Sequence, residues 1–185
     1  MSKAVVFFAD GTEECEALLV VDLLRRARVE VIVASAMGRR ELVSSHKIPL
    51  TADALAEEVD YSDVDMVVLP GGIPGTPNLA ANKTVTETCA AFAKAGRKVA
   101  AICAAPSILA SLGLLCHPLC TGTGAPAGRS GRGGAYPERH CVSALRKGMR
   151  YALYYLPLAG RRGRPGDFIG GWAAGLAAEL AGPEL

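Results

Sequence analysis

Val99-Ala-Ala-Ile-Cys-Ala-Ala-Pro-Ser-Ile-Leu109 sets a strand signal and a helix signal back to back. The first half is a short apolar run bounded by Arg97 and Lys98, the pattern of a strand buried on both faces. The second half continues as Ala104-Ala-Pro-Ser-Ile-Leu-Ala-Ser-Leu-Gly113, with small residues, helix formers and a terminal glycine. Pro106 is tolerated in a first helical turn, where its missing N–H would have no partner. The switch from strand to helix falls on Cys103. A nucleophile at such a corner is lifted out of the sheet, and the N–H groups of the following turn are left to meet an anion. A thiol beside a helix N-terminus is expected to have a depressed pKa, because the dipole favours thiolate. The plainer alternative is a small buried core cysteine. This stretch alone does not choose between the two.

Upstream, Ala4-Val-Val-Phe-Phe-Ala9 reads as a first buried strand. Asp10-Gly-Thr-Glu-Glu-Cys-Glu16 is a turn feeding a helix, with acidic residues in the first turn where the dipole favours them. Ala17, Leu18, Val20, Val21, Leu24 and Ala27 then recur at helical spacing. Val29–Ala34 is a second strand, and Glu41–Ser45 with His46–Leu50 forms a small hairpin. Asp53–Val59 reads as a short helix or turn. Asp65–Leu69 is a third buried strand ending in Pro70-Gly-Gly-Ile-Pro-Gly75, whose paired glycines let backbone approach a neighbour or ligand closely. Val85–Ala95 is an amphipathic helix closed by Gly96.

Continuous apolar strands alternating with helices imply βαβ units and a parallel sheet covered on both faces. Ligands of such sheets bind off the carboxyl ends of the strands. The Gly11–Glu16 turn, the Gly71-Gly72 turn and Cys103 all fall there, and this convergence favours the reactive reading of Cys103.

The chain has 185 residues, half of them hydrophobic, enough for one domain with a sizeable core. Its net charge of +2 gives no bulk electrostatic reason for a nucleic-acid or membrane partner. The charge is uneven: 11 basic and 14 acidic residues through Ala127, then 9 basic and 4 acidic. The N-terminal apolar run is too short for a signal-peptide core and Asp10 follows it. A cytoplasmic location is therefore expected, with the six cysteines reduced and no disulfide framework in their spacing.

The motifs Asp10-Gly-Thr-Glu-Glu-Cys-Glu16, Val21-Asp-Leu-Leu-Arg-Arg26, Ser45-His46, Asp65-Met-Val-Val-Leu-Pro-Gly-Gly72 and Ala101-Ile-Cys-Ala-Ala-Pro106 resemble the ThiJ/PfpI family, or DJ-one superfamily. Its members include protein deglycases, glyoxalase III enzymes and a parkinsonism-associated oxidative-stress protein. The resemblance covers residues 3 to 115. It implies an α/β, flavodoxin-like three-layer sandwich with a mostly parallel sheet and a nucleophile elbow, and a homodimer. It implies Cys103 as the nucleophilic, oxidisable cysteine and Glu16 as its protonated acidic partner. The plain reading of Glu16 is a solvated charge in a helix's first turn. The backbone N–H groups of Gly72 and Ala104 match the family's donors to a substrate or sulfur-bound oxygen, and Gly71 and His46 are further candidates. His46 falls where the family often has a basic or polar residue near the dimer-proximal site.

The implied activity needs no cofactor and no metal. It is attack of Cys103 on small reactive aldehydes such as methylglyoxal, or on glycated protein or nucleotide. The alternative is a redox sensor or chaperone-like protein whose Cys103 oxidises to sulfinate.

After Leu115 the resemblance stops. Residues 116–134 have a Gly/Ser/Arg composition that cannot supply a core strand, so 1–115 is the family-like core and 116–185 a divergent tail. Shifting a coding sequence for Tyr154-Tyr-Leu-Pro157 by one base can read Ile-Thr-Ser-Arg, a family-like run, which suggests a frameshift near residue 115. With this tail the sheet is expected to lack strands beside the elbow. His117 is a candidate partner of Cys103, although a solvated loop histidine is the plainer reading. Cys116, His117, Cys120, His140 and Cys141 do not form a standard zinc arrangement. The tail's arginines lack aromatic interleaving, so no nucleic-acid partner is expected. Ala173–Leu180 has the composition of a terminal helix.

Overall fold

The computed structural model describes residues 2–114, the backbone of 151–154, and residue 180. His117, His140, Cys116, Cys120, Cys141 and the tail's arginines lie outside the described residues. Strands β1 (Lys3–Phe8), β2 (Glu30–Ser35), β5 (Ala54–Leu55), β6 (Met66–Leu69), β7 (Lys98–Ile102) and β8 (Tyr151–Tyr154) form one sheet. Its order is β5-β2-β1-β6-β7-β8, and every pair is parallel. Strands β3 (Glu41–Val43) and β4 (Pro49–Thr51) make the separate antiparallel hairpin.

Helix α1 (Glu14–Arg26) joins β1 to β2. Helices α2 (Gly75–Ala81) and α3 (Lys83–Lys94) join β6 to β7, and α4 (Pro106–Ser111) follows β7. The flavodoxin-like α/β sandwich expected from the sequence is therefore the observed fold. Buried residues of β1 alternate between two cores, as strand geometry requires. Val5 and Phe7 face a core with Leu79, Val85, Phe92 and Ile108 of α2, α3 and α4. Val6 and Phe8 face Ala17, Val20, Val21 and Leu24 of α1, joined by Leu180. Phe7 and Phe8 are both fully buried, and removing either ring would cost ~3–5 kcal/mol.

The chain winds from β1 outward through β2 to β5, then returns and winds the other way through β6, β7 and β8. The reversal leaves a crevice at the carboxyl ends of β1 and β6, where a parallel sheet opens to ligands.

Three local differences from the sequence reading have physical causes. Asp53–Val59 opens with the short strand β5 and then a 3-10 turn at Ala56–Glu58. The Asp53 carboxylate accepts from Val33 N and Arg25 Nη2, tethering the segment to β2 and α1. Helix α2 was not anticipated, because Gly75, Thr76, Pro77 and Asn78 are poor helix formers. It is held by tertiary contacts, among them Asn78 Nδ2 donating to Asp10 O. Finally, β8 extends the sheet beside β7, pairing Val99 with Tyr151 and Ile102 with Tyr154. The expectation that residues beyond 115 leave the elbow strand without a neighbour is thus corrected.

Candidate active site

The site is assembled where β1, β6 and β7 end. Strand β7 stops at Ile102, and Cys103 turns the chain with φ 59°, a left-handed conformation that a side chain adopts only under constraint. Ala105 N closes the turn on Ile102 O at 3.0 Å, and α4 begins with Pro106. Ala104 N is thereby left to point at its neighbour's sulfur. The Cys103 sulfur takes backbone hydrogen bonds from Ala104 and Gly72 and shares another with the Glu16 carboxyl group.

Glu16 reaches the sulfur from the first turn of α1. Its residue is only 7% exposed, so the solvated-charge reading does not describe it. Gly71 N donates to Glu16 Oε2 at 2.8 Å. Glycine is required at Gly71 because a Cβ there would come within 2.7 Å of Glu16 Oε2 and 2.8 Å of Cys103 Cβ. Gly72, at φ 97°, is pressed against Gly11 O and Glu13 N, and only glycine fits both the conformation and the space. The structure thus brings Cys103, Glu16, Gly71, Gly72 and Ala104 together.

His46 is placed elsewhere. Its Nδ1 is 2.7 Å from Glu14 Oε1, and Ser45 Oγ donates to Glu14 Oε2 at 2.9 Å. This cluster fastens the hairpin to α1, helped by Ser45 N donating to Thr12 O and Gly11 N to Val43 O. The Asp10 carboxylate adds an ion pair with Arg39 and accepts from Val43 N. Sequence reading missed Glu13 and Glu14 as network residues. The run of three glutamates in one helical turn was the available signal. Glu13, Glu14 and His46 each offer an atom within 4.8 Å of the others. Those groups are already engaged: Glu13 Oε2 by Glu16 N, and Glu14 by Ser45 and His46. The geometry is an internal network, and no metal role is assigned to it.

The electrostatics differ from expectation at Cys103. Its thiol is pushed up to about 11, first by burial and then by the Glu16 carboxylate charge, against the opposing pull of the Ala104 and Gly72 N–H groups. Helix α4 has 6 residues, and its small dipole does not outweigh these effects. The Glu16 carboxyl is itself pushed up by burial, with the charge of Glu13 adding to the effect and the hydrogen bonds from Gly71 and Cys103 opposing it. The thiol and the carboxyl are therefore coupled in their ionisation, and a proton can sit on either. When it sits on Glu16, the charge that disfavours thiolate becomes an O–H donor that stabilises it.

A half-buried cysteine on a strained strand-to-helix turn, faced by a carboxyl group and two backbone donors, defines a nucleophile-elbow α/β protein. The chain belongs to the DJ-1/PfpI family, whose model matches residues 2–145. Protein DJ-1 homolog B of Arabidopsis thaliana is 36% identical over 107 residues, 58% of this chain and 24% of that protein. Protein dj-1beta of Drosophila melanogaster is 36% identical over 115 residues, 62% of each chain. The matched region thus spans less than two thirds of either relative. A Thermococcus kodakarensis protein named as a deglycase is 34% identical over 113 residues, 61% of this chain and 67% of its own length. Among solved structures, oxidized Toxoplasma gondii DJ-1 superposes with a TM-score of 0.75 at 26% identity, covering 97% of this chain and 91% of that one.

Proposed function

We propose that this chain is a cofactor-independent enzyme of the glyoxalase III or deglycase type, acting on reactive aldehydes such as methylglyoxal through Cys103. The observation that carries the reading is the convergence on one sulfur of the Glu16 carboxyl and the N–H groups of Gly72 and Ala104. With the shared proton on Glu16, the Cys103 thiolate adds to the aldehyde carbon. A C–S bond forms, and the carbonyl oxygen takes the proton from Glu16, giving a hemithioacetal. The Gly72 and Ala104 donors stabilise charge developing beside the sulfur. Glu16, now a carboxylate, removes the proton from the carbon bearing sulfur and returns it to the neighbouring carbon, while the hydroxyl proton passes to the neighbouring oxygen, giving a lactoyl thioester. Water then cleaves the C–S bond, releasing lactate and restoring Cys103. Glycated protein or nucleotide would enter after its hemiaminal breaks the C–N bond to free the amine and the aldehyde, which then takes the same addition.

The deglycase name of the Thermococcus relative supports this class. A homodimer in the cytoplasm is part of the proposal. Leu18 on α1 and Val43 and Ile48 of the hairpin region are exposed apolar side chains that suit a covered surface. No helix among the described residues is long and apolar enough to cross a membrane.

The second reading is oxidation of Cys103 to sulfinate as a stress signal. It is favoured by the partial exposure of Cys103, whose sulfur would keep the same N–H donors for its oxygens. The test is methylglyoxal consumption with direct detection of lactate, for wild type, Cys103→Ser and Glu16→Gln. Lactate from wild type and its loss in both variants supports the enzyme. No turnover, with Cys103 still reacting rapidly with peroxide, replaces it with the sensor.

A further inference from the structure

Three hydrogen bonds close a ring around the acid of the site. Glu13 N donates to Gly71 O at 3.0 Å, Gly71 N donates to Glu16 Oε2 at 2.8 Å, and Glu16 N donates to Glu13 Oε2 at 2.7 Å. Both polar groups of the Gly71 residue are consumed, one by each glutamate. The same Glu16 carboxyl group also hydrogen-bonds Cys103. Glu13 is thus both the N-cap of α1 and the nearest acidic neighbour of the Glu16 backbone.

We infer that Glu13 is a positioning residue for the Cys103–Glu16 pair: its side chain closes the ring that aims Glu16 at the sulfur, and its negative charge biases the shared proton toward Glu16. An N-cap interaction alone would call for any short acceptor, and Ser, Thr, Asp and Asn serve better than Glu in that role. The longer glutamate sets a negative charge beside a buried carboxyl whose ionisation is already disfavoured. Burial is the largest influence raising Glu16, and the Glu13 charge acts in the same direction. Among the described residues, the titratable groups around Glu16 are Glu13, Glu14 and Cys15 on α1 and Cys103 at the elbow. The Pro70–Gly75 turn supplies only backbone. Glu14 is drawn toward Ser45 and His46, on the hairpin.

The inference rests on Cys103 and Glu16 being the reacting pair, as proposed above, but not on any substrate. The direction of the effect follows from position. The Glu13 charge acts on the Glu16 carboxyl and does not figure among the influences on the Cys103 thiol, so removing it favours the Glu16 carboxylate, shifts the proton toward sulfur and lowers the thiolate population.

The experiment is the pH profile of Cys103 alkylation by iodoacetamide, resolved by peptide mass spectrometry so that Cys15 and other thiols do not interfere. Glu13→Gln keeps an oxygen to cap Glu16 N but removes the charge, whereas Glu13→Asp keeps the charge. Glu13→Gln should slow alkylation near neutral pH by about three- to tenfold, the effect of one carboxylate at a partly solvated site, and move the profile upward. Glu13→Asp should stay within about twofold of wild type. Alkylation of Glu13→Gln at the wild-type rate would overturn the inference, and so would an equal loss in Glu13→Asp. Circular dichroism establishes that each variant is folded. Failure of wild type to make lactate would remove the aldehyde chemistry while leaving the alkylation result standing, so the two failures are distinguishable.

Discussion

Glu14 and Glu16 sit two residues apart in the first turn of α1, both more than nine-tenths buried, and their carboxyl groups are pushed in opposite directions. On the hairpin side, burial opposes ionisation of Glu14. Hydrogen bonds from its own backbone, Ser45, Ser44 and His46 outweigh it and hold the carboxyl down to about 2. On the elbow side, Glu16 receives the Gly71 N–H and the Cys103 hydrogen bond, and burial prevails. Burial alone therefore does not set a carboxyl's state; the number and kind of donors facing it do. One helical turn thus carries a structural anion on one face and, on the other, a carboxyl whose ionisation is disfavoured.

The sharpest way to break this contrast is to remove its reacting end. Cys103→Ser should reduce lactate formation by ~10³-fold or more, because an alcohol is a far weaker nucleophile than a thiolate, with the fold retained by circular dichroism. Glu16→Gln should cost ~10²–10⁴-fold in the same assay, the range of a lost general acid–base. Gly71→Ala intrudes on both Glu16 and Cys103 and should lower turnover by ~10²-fold with little loss of helix content, as expected of a displaced catalytic pair.

The hairpin face should respond in stability instead. Glu14→Gln leaves buried donors imperfectly matched and should destabilise the fold by ~1–3 kcal/mol in urea denaturation at neutral pH. Because the Glu14 carboxyl lies below its ordinary value of 4.5, its stabilisation is present above that pH and is lost as pH falls toward about 2. The difference between wild type and Glu14→Gln should therefore shrink across that window. The smallest effect is expected for His46→Ala: the side chain is 74% exposed, and the change should cost about 0.5 kcal/mol or less. A large loss of turnover in His46→Ala would erase the division between the two faces.

The parallel sheet was legible because buried strands such as Ala4–Phe8 and Val99–Ile102 are continuous apolar runs, and the helices between them carry a clear period. The crevice was legible for the same reason, since glycine turns and Cys103 fall at strand ends. Less accessible were features set by distant partners. β5 depends on the ties between Asp53 and Val33 and Arg25. Burial of Glu14 depends on hydroxyl and imidazole donors from the hairpin, which no local pattern in α1 announces. The expected low pKa of Cys103 failed because a dipole argument weighs only the helix, whereas desolvation and the neighbouring carboxyl are tertiary.

The central claim, one turn with two opposed carboxyls, is tested most directly by carbon-13 NMR titration of the glutamate side-chain carboxyls in the folded protein. Glu14→Gln and Glu16→Gln supply the assignments. Glu16 should titrate above the ordinary carboxylate range and Glu14 near the acid limit of the fold, with the Glu16 transition altered in Cys103→Ser. Two carboxyls titrating together near the value of an exposed glutamate, unaffected by the loss of the thiol, would contradict the account.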